Sequence, residues 1–319
     1  MYNIPGDKMN LMNDEKHYNT FNNYLKERFA HKVFKISLNA GMTCPNRDGT
    51  KGVGGCIYCS EALSGDFAGD VNASFSEQFI QVLADESKKW KEATYIAYLQ
   101  AGSNTYNSID HLTRIYTEIL ELNDQIEVLS IATRPDCIKQ EIVELLQKIN
   151  QQKEVWVELG LQTINNETSK LINKCYNNTD FEKAMALLTK ANIKVIVHII
   201  NGLPNDTESD MLNIIKYLNQ FPIFGLKIHM LHILKNTPLA IFYQKKPFKV
   251  LTLEEYVDIT VKQLRLLNPE VIIHRITGDG KKEDLIAPLW TLKKFVVLNE
   301  IDKLMRKEHF YQGDLYEDN

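Results

Sequence analysis

With 319 residues, 44% of them hydrophobic and 24% charged, the chain has the composition of an ordinary globular protein, enough for one large domain or two small ones. A formal net charge of −4 argues against a surface coated for nucleic acid but allows a local basic patch. No apolar run reaches the roughly eighteen residues of a membrane span, no signal peptide opens the chain and the cysteine count is odd, so a cytoplasmic protein with reduced thiols is expected.

Residues 1–32 read as a lead-in, polar to about Asn13 and then helical through Tyr24, Leu25 and Phe29. Residues 33–38 (VFKISL) read as a strand running directly into NAGMTCPNRDGTKGVGGCIYCS, residues 39–60, which holds three of the five cysteines. Cys44, Cys56 and Cys59 are spaced C-x11-C-x2-C, with no fourth cysteine beside them. Three thiolates suit a cubane iron–sulfur cluster with one iron left open for another ligand. The spacing also permits a zinc knuckle completed by a distant histidine, whereas a disulfide is disfavoured. Five of the fifteen glycines fall here, letting the backbone fold tightly around an inorganic core, and Tyr58 is placed to cover it.

Beyond the loop, helix and strand patterns alternate. Ser76 is predicted to cap a helix through Phe79, Ile80 and Leu83, and strands are predicted at 94–99, 127–132, 155–161, 194–200 and 225–231. Helices carrying Ile109, Leu112, Tyr116 and Ile119, then Ile142, Leu145, Leu146 and Ile149, then Phe181, Ala184, Met185 and Leu188 separate them. Thr207 caps another, through Met211 and Leu218. A seventh strand is a candidate at 271–275, and residues 281–319 carry a long helical pattern through Leu285, Leu289, Leu292, Val296, Ile301 and Leu304. Strict alternation implies a parallel α/β sheet, either doubly wound or rolled into a closed or partly closed barrel.

Polar residues gather after the strands, in QAGSN (100–104), TRPD (133–136), QT (162–163) and NGLP (201–204), with Glu158, His229 and His232 near strand ends. Ligands of parallel α/β folds bind at that edge. Arg134, Asp136, His229, His232 and Arg275 are therefore candidates for substrate contacts. His229 and His232, three apart, would face opposite ways on one strand, so only one would enter the mouth. His198 reads as a satisfied core histidine, Cys137 and Cys175 as packing residues, and Glu158 is free to pair with Arg134. Between 281 and 307, seven Lys or Arg against four acids, with Trp290 and Phe295 between, read as a solvated helix face with its aromatics in the core.

These phrases, with VELGLQT at 157–163, HIINGLP at 198–204, KIHMLHILKNTPL at 227–239 and RITGDG at 275–280, resemble the radical SAM superfamily. The wide cysteine loop is similar to that of the elongator catalytic subunit and, over residues 18–316, of the YtqA/YhcC (MnmL-type) family. The resemblance implies a partial (β/α)6 TIM-like barrel, with a core at 33–280 flanked by the lead-in and a helical extension at 281–319. It implies a [4Fe–4S] cluster on Cys44, Cys56 and Cys59, with S-adenosylmethionine on the open iron yielding a 5′-deoxyadenosyl radical. By position it places Gly102, Ser103 and Asn104 near the methionine amine, Glu158 and Gln162 near ribose or the methionyl end, and Gly202 and Pro204 near adenine, with Tyr58 beside the cluster. The usual acidic residue is missing at 102–104, and Lys174-Cys175-Tyr176 replaces the family's Arg-Gly-His.

The implied substrate is the wobble uridine of tRNA, with 5-carboxymethylaminomethyluridine converted to 5-aminomethyluridine. An electron donor such as flavodoxin or ferredoxin and a downstream methyltransferase are the implied partners, with no membrane. Alternatives are radical chemistry on a small molecule or protein side chain, or a zinc-stabilised, non-catalytic tRNA-binding module.

Overall fold

The structure, a computed structural model, describes residues 11–86 and 93–317; the first ten residues of the expected lead-in lie outside these. The elements run α1 (Phe21–Arg28), β1 (Lys32–Leu38), α2 (Phe75–Glu86), β2 (Ala93–Leu99), α3 (Ile109–Glu121), β3 (Ile126–Thr133), α4 (Gln140–Asn150), β4 (Glu154–Gln162), α5 (Asn166–Leu171), α6 (Asn178–Lys190), β5 (Lys194–Asn201) and α7 (Glu208–Leu218). They continue with β6 (Gly225–Met230), β7 (Ile233–Leu234), α8 (Pro238–Lys245), α9 (Leu253–Leu266), β8 (Ile272–Arg275), β9 (Leu285–Ala287) and α10 (Lys294–Lys307).

One seven-stranded sheet has the order β1-β2-β3-β4-β5-β6-β8, parallel throughout. Strand order that never reverses excludes a doubly wound sheet, which changes direction at a switch point. The sheet instead curls into a half-barrel with β1 and β8 as its edges. Along β4 the period of two is explicit: Val155, Val157, Leu159 and Leu161 join the main core beneath the helices, while Trp156 and Glu158 face the concave side. The crossover helices bury one stripe against the outer face, as Leu112, Ile115, Tyr116 and Ile119 do for α3.

The base of the concave face is apolar. Ile96, Val128, Trp156, Ile196 and Ile272 pack there with Tyr24 of α1, and Phe21 meets the Trp156 ring edge-on at 5.8 Å. The lead-in helix thus plugs the bottom of the half-barrel, leaving the strand C-termini open.

Helix starts follow side-chain chemistry. Thr207 caps α7 with Asp210 returning the bond, and Asn177–Asp180 and Thr252–Glu255 do the same for α6 and α9. For α2 the cap is Ser74, not Ser76: its hydroxyl accepts from the Glu77 amide at 3.2 Å while the Glu77 carboxylate accepts from the Ser74 amide at 2.8 Å. The long C-terminal helix expected from 285 is broken. Residues 285–287 pair antiparallel with β7, a single 3₁₀ turn covers Leu289–Leu292, and α10 begins only at Lys294. Pro288, with no amide hydrogen to donate, interrupts the apolar period. Helices α5, α8 and α9 and the β7–β9 pair were not anticipated.

Gly102, just past β2, has φ +77°, and a Cβ there would press into the Met42 carbonyl oxygen at the start of the cysteine loop. Gly49 has φ +90° but open space around it. Gly102→Ala is therefore expected to cost about 2 kcal/mol or more in urea unfolding, by strain plus displaced backbone, and Gly49→Ala only about 1.

Candidate active site

The cysteine loop is locked by its own backbone. The Cys44 carbonyl accepts from the Arg47 and Asp48 amides at 2.7 and 3.2 Å, the Cys59 amide donates to the Cys56 carbonyl at 2.9 Å, and the Ser103 amide donates to the Thr43 carbonyl at 3.0 Å. The Arg47 guanidinium clamps the carbonyls of Cys59, Ser60 and Glu61. Cys44, Cys56 and Cys59 remain unbridged thiols on the wall of one cavity of about 600 Å3.

Each sulfur has a polar neighbour: Arg134 Nη1 lies 3.8 Å from Cys44, Asn46 Nδ2 3.7 Å from Cys56 and Ser64 Oγ 3.8 Å from Cys59. Burial pushes the Cys56 thiol up to about 11 and raises the Cys59 thiol as well. Among the described residues, no group of three or more His, Cys, Asp or Glu converges as a single bound ion requires. Three thiols around a shared void, each with an outer donor, fit a multi-iron cluster spanning that void.

Deeper in the cavity, the inner face carries a charged layer. Glu158, 1% exposed, accepts from Ser130 Oγ at 2.7 Å and Lys35 Nζ at 2.5 Å on Oε1, and from His198 Nε2 at 2.6 Å and Lys227 Nζ on Oε2. Both ammonium groups lie over the Tyr98 ring, at 3.8 and 4.7 Å from its centre. Burial alone would raise the Glu158 carboxyl, but Lys227, Lys35 and His198 outweigh it and hold it well below the usual carboxylate range. Burial, only partly opposed by Glu158, brings Lys227 down to about 7.

Of the residues singled out in the sequence, Cys44, Cys56, Tyr58, Cys59, Gly102, Ser103, Arg134, Glu158, Gln162, His229, His232 and Arg275 line this cavity. Four do not. Asn104 is fully buried, its amide bonded to the Leu99 and Ala132 carbonyls; Asp136 is held by Arg134 through two bonds of 2.9 Å; and Gly202 and Pro204 lie away from the cavity wall, Gly202 facing Leu251. Arg134 therefore pairs with Asp136 rather than with Glu158. His198 is a cavity residue rather than a core one. His229 and His232 both enter because β6 ends at Met230, and the alternation that would separate them stops there.

Sequence reasoning missed Lys35 and Lys227, although each is a charge inside an apolar strand. It also missed Tyr176, whose hydroxyl contacts the Gly160 carbonyl and Gln162 Oε1 at 2.6 and 2.7 Å. Gln162 itself takes a left-handed φ of 60° at a bulge between β4 and β5, the kind of strain found where a side chain is re-aimed. Lys174, in the position of the family arginine, is buried and donates to the Leu161 and Thr163 carbonyls at 3.2 and 3.0 Å, away from the cavity.

At the mouth, Asp66 pairs with Lys281 at 3.6 Å, and Asp279 pairs with Arg275 at 2.9 Å and with Lys294. Phe67 lines the cavity and is half exposed, while Phe295 is 83% exposed. The basic C-terminal segment thus contributes to the rim. Trp290 packs on Tyr256 as a core aromatic, but Phe295 does not join the core.

Residues 44–218 match the profile of the Radical SAM superfamily and residues 223–307 that of the Radical_SAM C-terminal domain. The chain is 42% identical to YtqA of Bacillus subtilis over 305 residues, 96% of this chain and 94% of that protein. It is 31% identical over 155 residues to a tRNA uridine(34) acetyltransferase of Methanocaldococcus infernus, 47% of this chain and 28% of that one. The solved structure of the archaeal Methanocaldococcus infernus Elp3 superposes with a TM-score of 0.67 at 18% identity, covering 89% of this chain and 65% of that one. The chain thus spans less than two thirds of either of these last two proteins.

Burial lowers His198 and His232 to about 4 and holds His229 and His274 well below the unfolded value near 6.5 as well. Between about 6.5 and 4 the unfolded chain binds protons the folded chain does not, so this part of the stability is present above that window and lost as pH falls through it. Urea unfolding at pH 7 and pH 5 is expected to show a clear drop in free energy at the lower pH, smaller in His198→Gln.

Proposed function

The chain belongs to the radical SAM superfamily, in the same family as YtqA, and from that premise we propose that it modifies the wobble uridine of transfer RNA. It is an enzyme whose cofactors are a [4Fe–4S] cluster and S-adenosylmethionine. When bound, they supply a 5′-deoxyadenosyl radical that takes a hydrogen atom from the substrate. The observation that carries the reading is the meeting, in one cavity at the strand C-termini, of three unbridged thiols and a polar wall.

In this reading Cys44, Cys56 and Cys59 hold the cluster, with Arg134, Asn46 and Ser64 as outer donors to the sulfurs. Tyr58, Gly102, Ser103 and Gln162, on the same wall, bind S-adenosylmethionine, and Tyr176 fixes the Gln162 amide. Asn104 braces the loop from below through the Leu99 and Ala132 carbonyls. Two features support RNA as substrate. One relative carries tRNA uridine(34) in its name, and the rim combines Arg275, Lys281 and Lys294 with the exposed Phe67, cations for phosphate and a ring for a base.

The reaction proposed is conversion of 5-carboxymethylaminomethyluridine to 5-aminomethyluridine. Hydrogen leaves the glycyl carbon, a second electron passes to an acceptor and the N–H proton is lost; water adds to the imine, releasing glyoxylate and leaving the aminomethyl arm. A cytoplasmic enzyme served by flavodoxin or ferredoxin, with a methyltransferase acting on its product, completes the proposal. Among the described residues no helix is long and apolar enough to cross a membrane.

Anaerobic reconstitution is expected to give four irons per chain and 5′-deoxyadenosine release under strong reductant, both abolished by Cys56→Ala. Colourless, zinc-containing protein with no cleavage would refute the catalytic reading. With tRNA from cells lacking the gene, nucleoside mass spectrometry is expected to show the carboxymethyl arm disappearing as glyoxylate forms. Binding of that tRNA should weaken steeply with salt, as released counterions require.

A further inference from the structure

Below about pH 7, where Lys227 is protonated, the interior of the cavity is short of one negative charge. Every other charged side chain on its wall has an opposite partner: Asp66 has Lys281, Arg134 has Asp136, and Arg275 has Asp279. The layer around Glu158 sets two ammonium groups, Lys35 and Lys227, against a single carboxylate. The remaining groups that face it are neutral: Tyr98 from β2, Ser130 from β3, His198 from β5, His229 from β6 and His274 from β8.

The hydrogen bonds are also uneven. Glu158 already has two donors on each oxygen, one of each pair a lysine, so it has no capacity left for the other N–H donors of the two lysines. Each lysine carries three N–H donors and gives only one to Glu158, and both lysines line the cavity. Beside them His229 Nε2 is buried without a hydrogen-bond partner, its ring 5.3 Å from that of His198. Surplus positive charge, spare donors and an orphaned ring nitrogen on one wall call for a ligand that brings an anion and a polar hydrogen.

Building on the function proposed above, we propose that Lys35 and Lys227 form a subsite for the carboxylate of the substrate's carboxymethylamino arm, with His229 facing the arm's amine. An amino acid-like carboxylate is also carried by S-adenosylmethionine. The position favours the substrate: Lys35 and Lys227 are mid-strand residues below the mouth, whereas the cysteines lie on the loop beyond β1. The subsite would distinguish substrate from product, because the aminomethyl product has no carboxylate and gains nothing from the two lysines.

The test uses the reconstituted full chain with S-adenosylmethionine and anticodon stem-loops bearing either 5-carboxymethylaminomethyluridine or 5-aminomethyluridine. Wild type is expected to bind the carboxylated loop about tenfold tighter or more, as a charge-assisted contact implies. In Lys35→Gln and Lys227→Gln that preference should collapse to near equality, mainly through the carboxylated loop, with S-adenosylmethionine affinity unchanged; Lys227→Arg should restore part of it. Glu158 keeps one ammonium partner in either glutamine variant, and a thermal melt confirms folding of each. Variants that retain the preference overturn the proposal, as does loss of S-adenosylmethionine affinity with the preference intact, which assigns the lysines to the methionyl end. Wild type that neither discriminates nor releases glyoxylate overturns the substrate reading itself, an outcome separable from failure in the variants alone.

Discussion

The structure depends most on one carboxylate. Glu158 sits on the middle strand and is gripped by side chains from β1, β3, β5 and β6, so its four bonds tie five of the seven strands together across the concave face. A parallel sheet covered by helices on its outer face has nothing on its inner face to hold the curl except side chains that meet there. Apolar residues do this at the base, where Trp156, Ile196 and Phe21 pack. One layer up the same role falls to charge, which attracts across a gap that methyl groups would have to fill.

That substitution keeps the cavity open. A buried ion cluster is a weak source of stability, since desolvation offsets most of its attraction. The outer core carries the folding energy instead, with Val155, Val157, Leu159 and Leu161 of β4 buried against the helices. The inner face can then afford polar groups that a cofactor and substrate use. Layering by height follows: an apolar floor plugged by α1, a charged middle, and thiols with Gln162, Ser103 and the Asp66–Lys281 rim at the top.

Much of this was legible in the sequence, and the parts that were not have physical reasons. The alternation of strands and helices, the seven parallel strands and the strand-end position of the cysteine loop follow from periodicity that tertiary packing reinforces. The inner charged layer was harder to read because in VFKISL or GLKIHM a lone lysine looks like a solvated edge residue; only curling brings Lys35 and Lys227 to one carboxylate. Glu158 is a possible partner for Arg134 in the sequence, but Asp136, two residues away, takes its Nε and Nη2. The apolar spacing from Leu285 to Leu304 suits one long helix, but it is blind to Pro288, which removes one donor. Asn104, Gly202 and Pro204 were placed by motif position alone, and the backbone turns them away from the cavity.

The half-barrel's open edge is the complement of its charged interior. A closed barrel of this size fills its own lumen with side chains; here β1 and β8 do not meet, and a cavity of about 600 Å3 remains between the wall and the rim. That volume is large enough for a nucleoside cosubstrate together with the arm of an extruded base, but not for a folded RNA stem. On the substrate proposed above, the polynucleotide stays at the rim beside Lys281 and Lys294 and sends in only one base. On the same proposal, the depth of Lys35 and Lys227 sets what that base must carry. A group too short to reach Lys35 and Lys227, or lacking an anion at its end, leaves the layer unsatisfied.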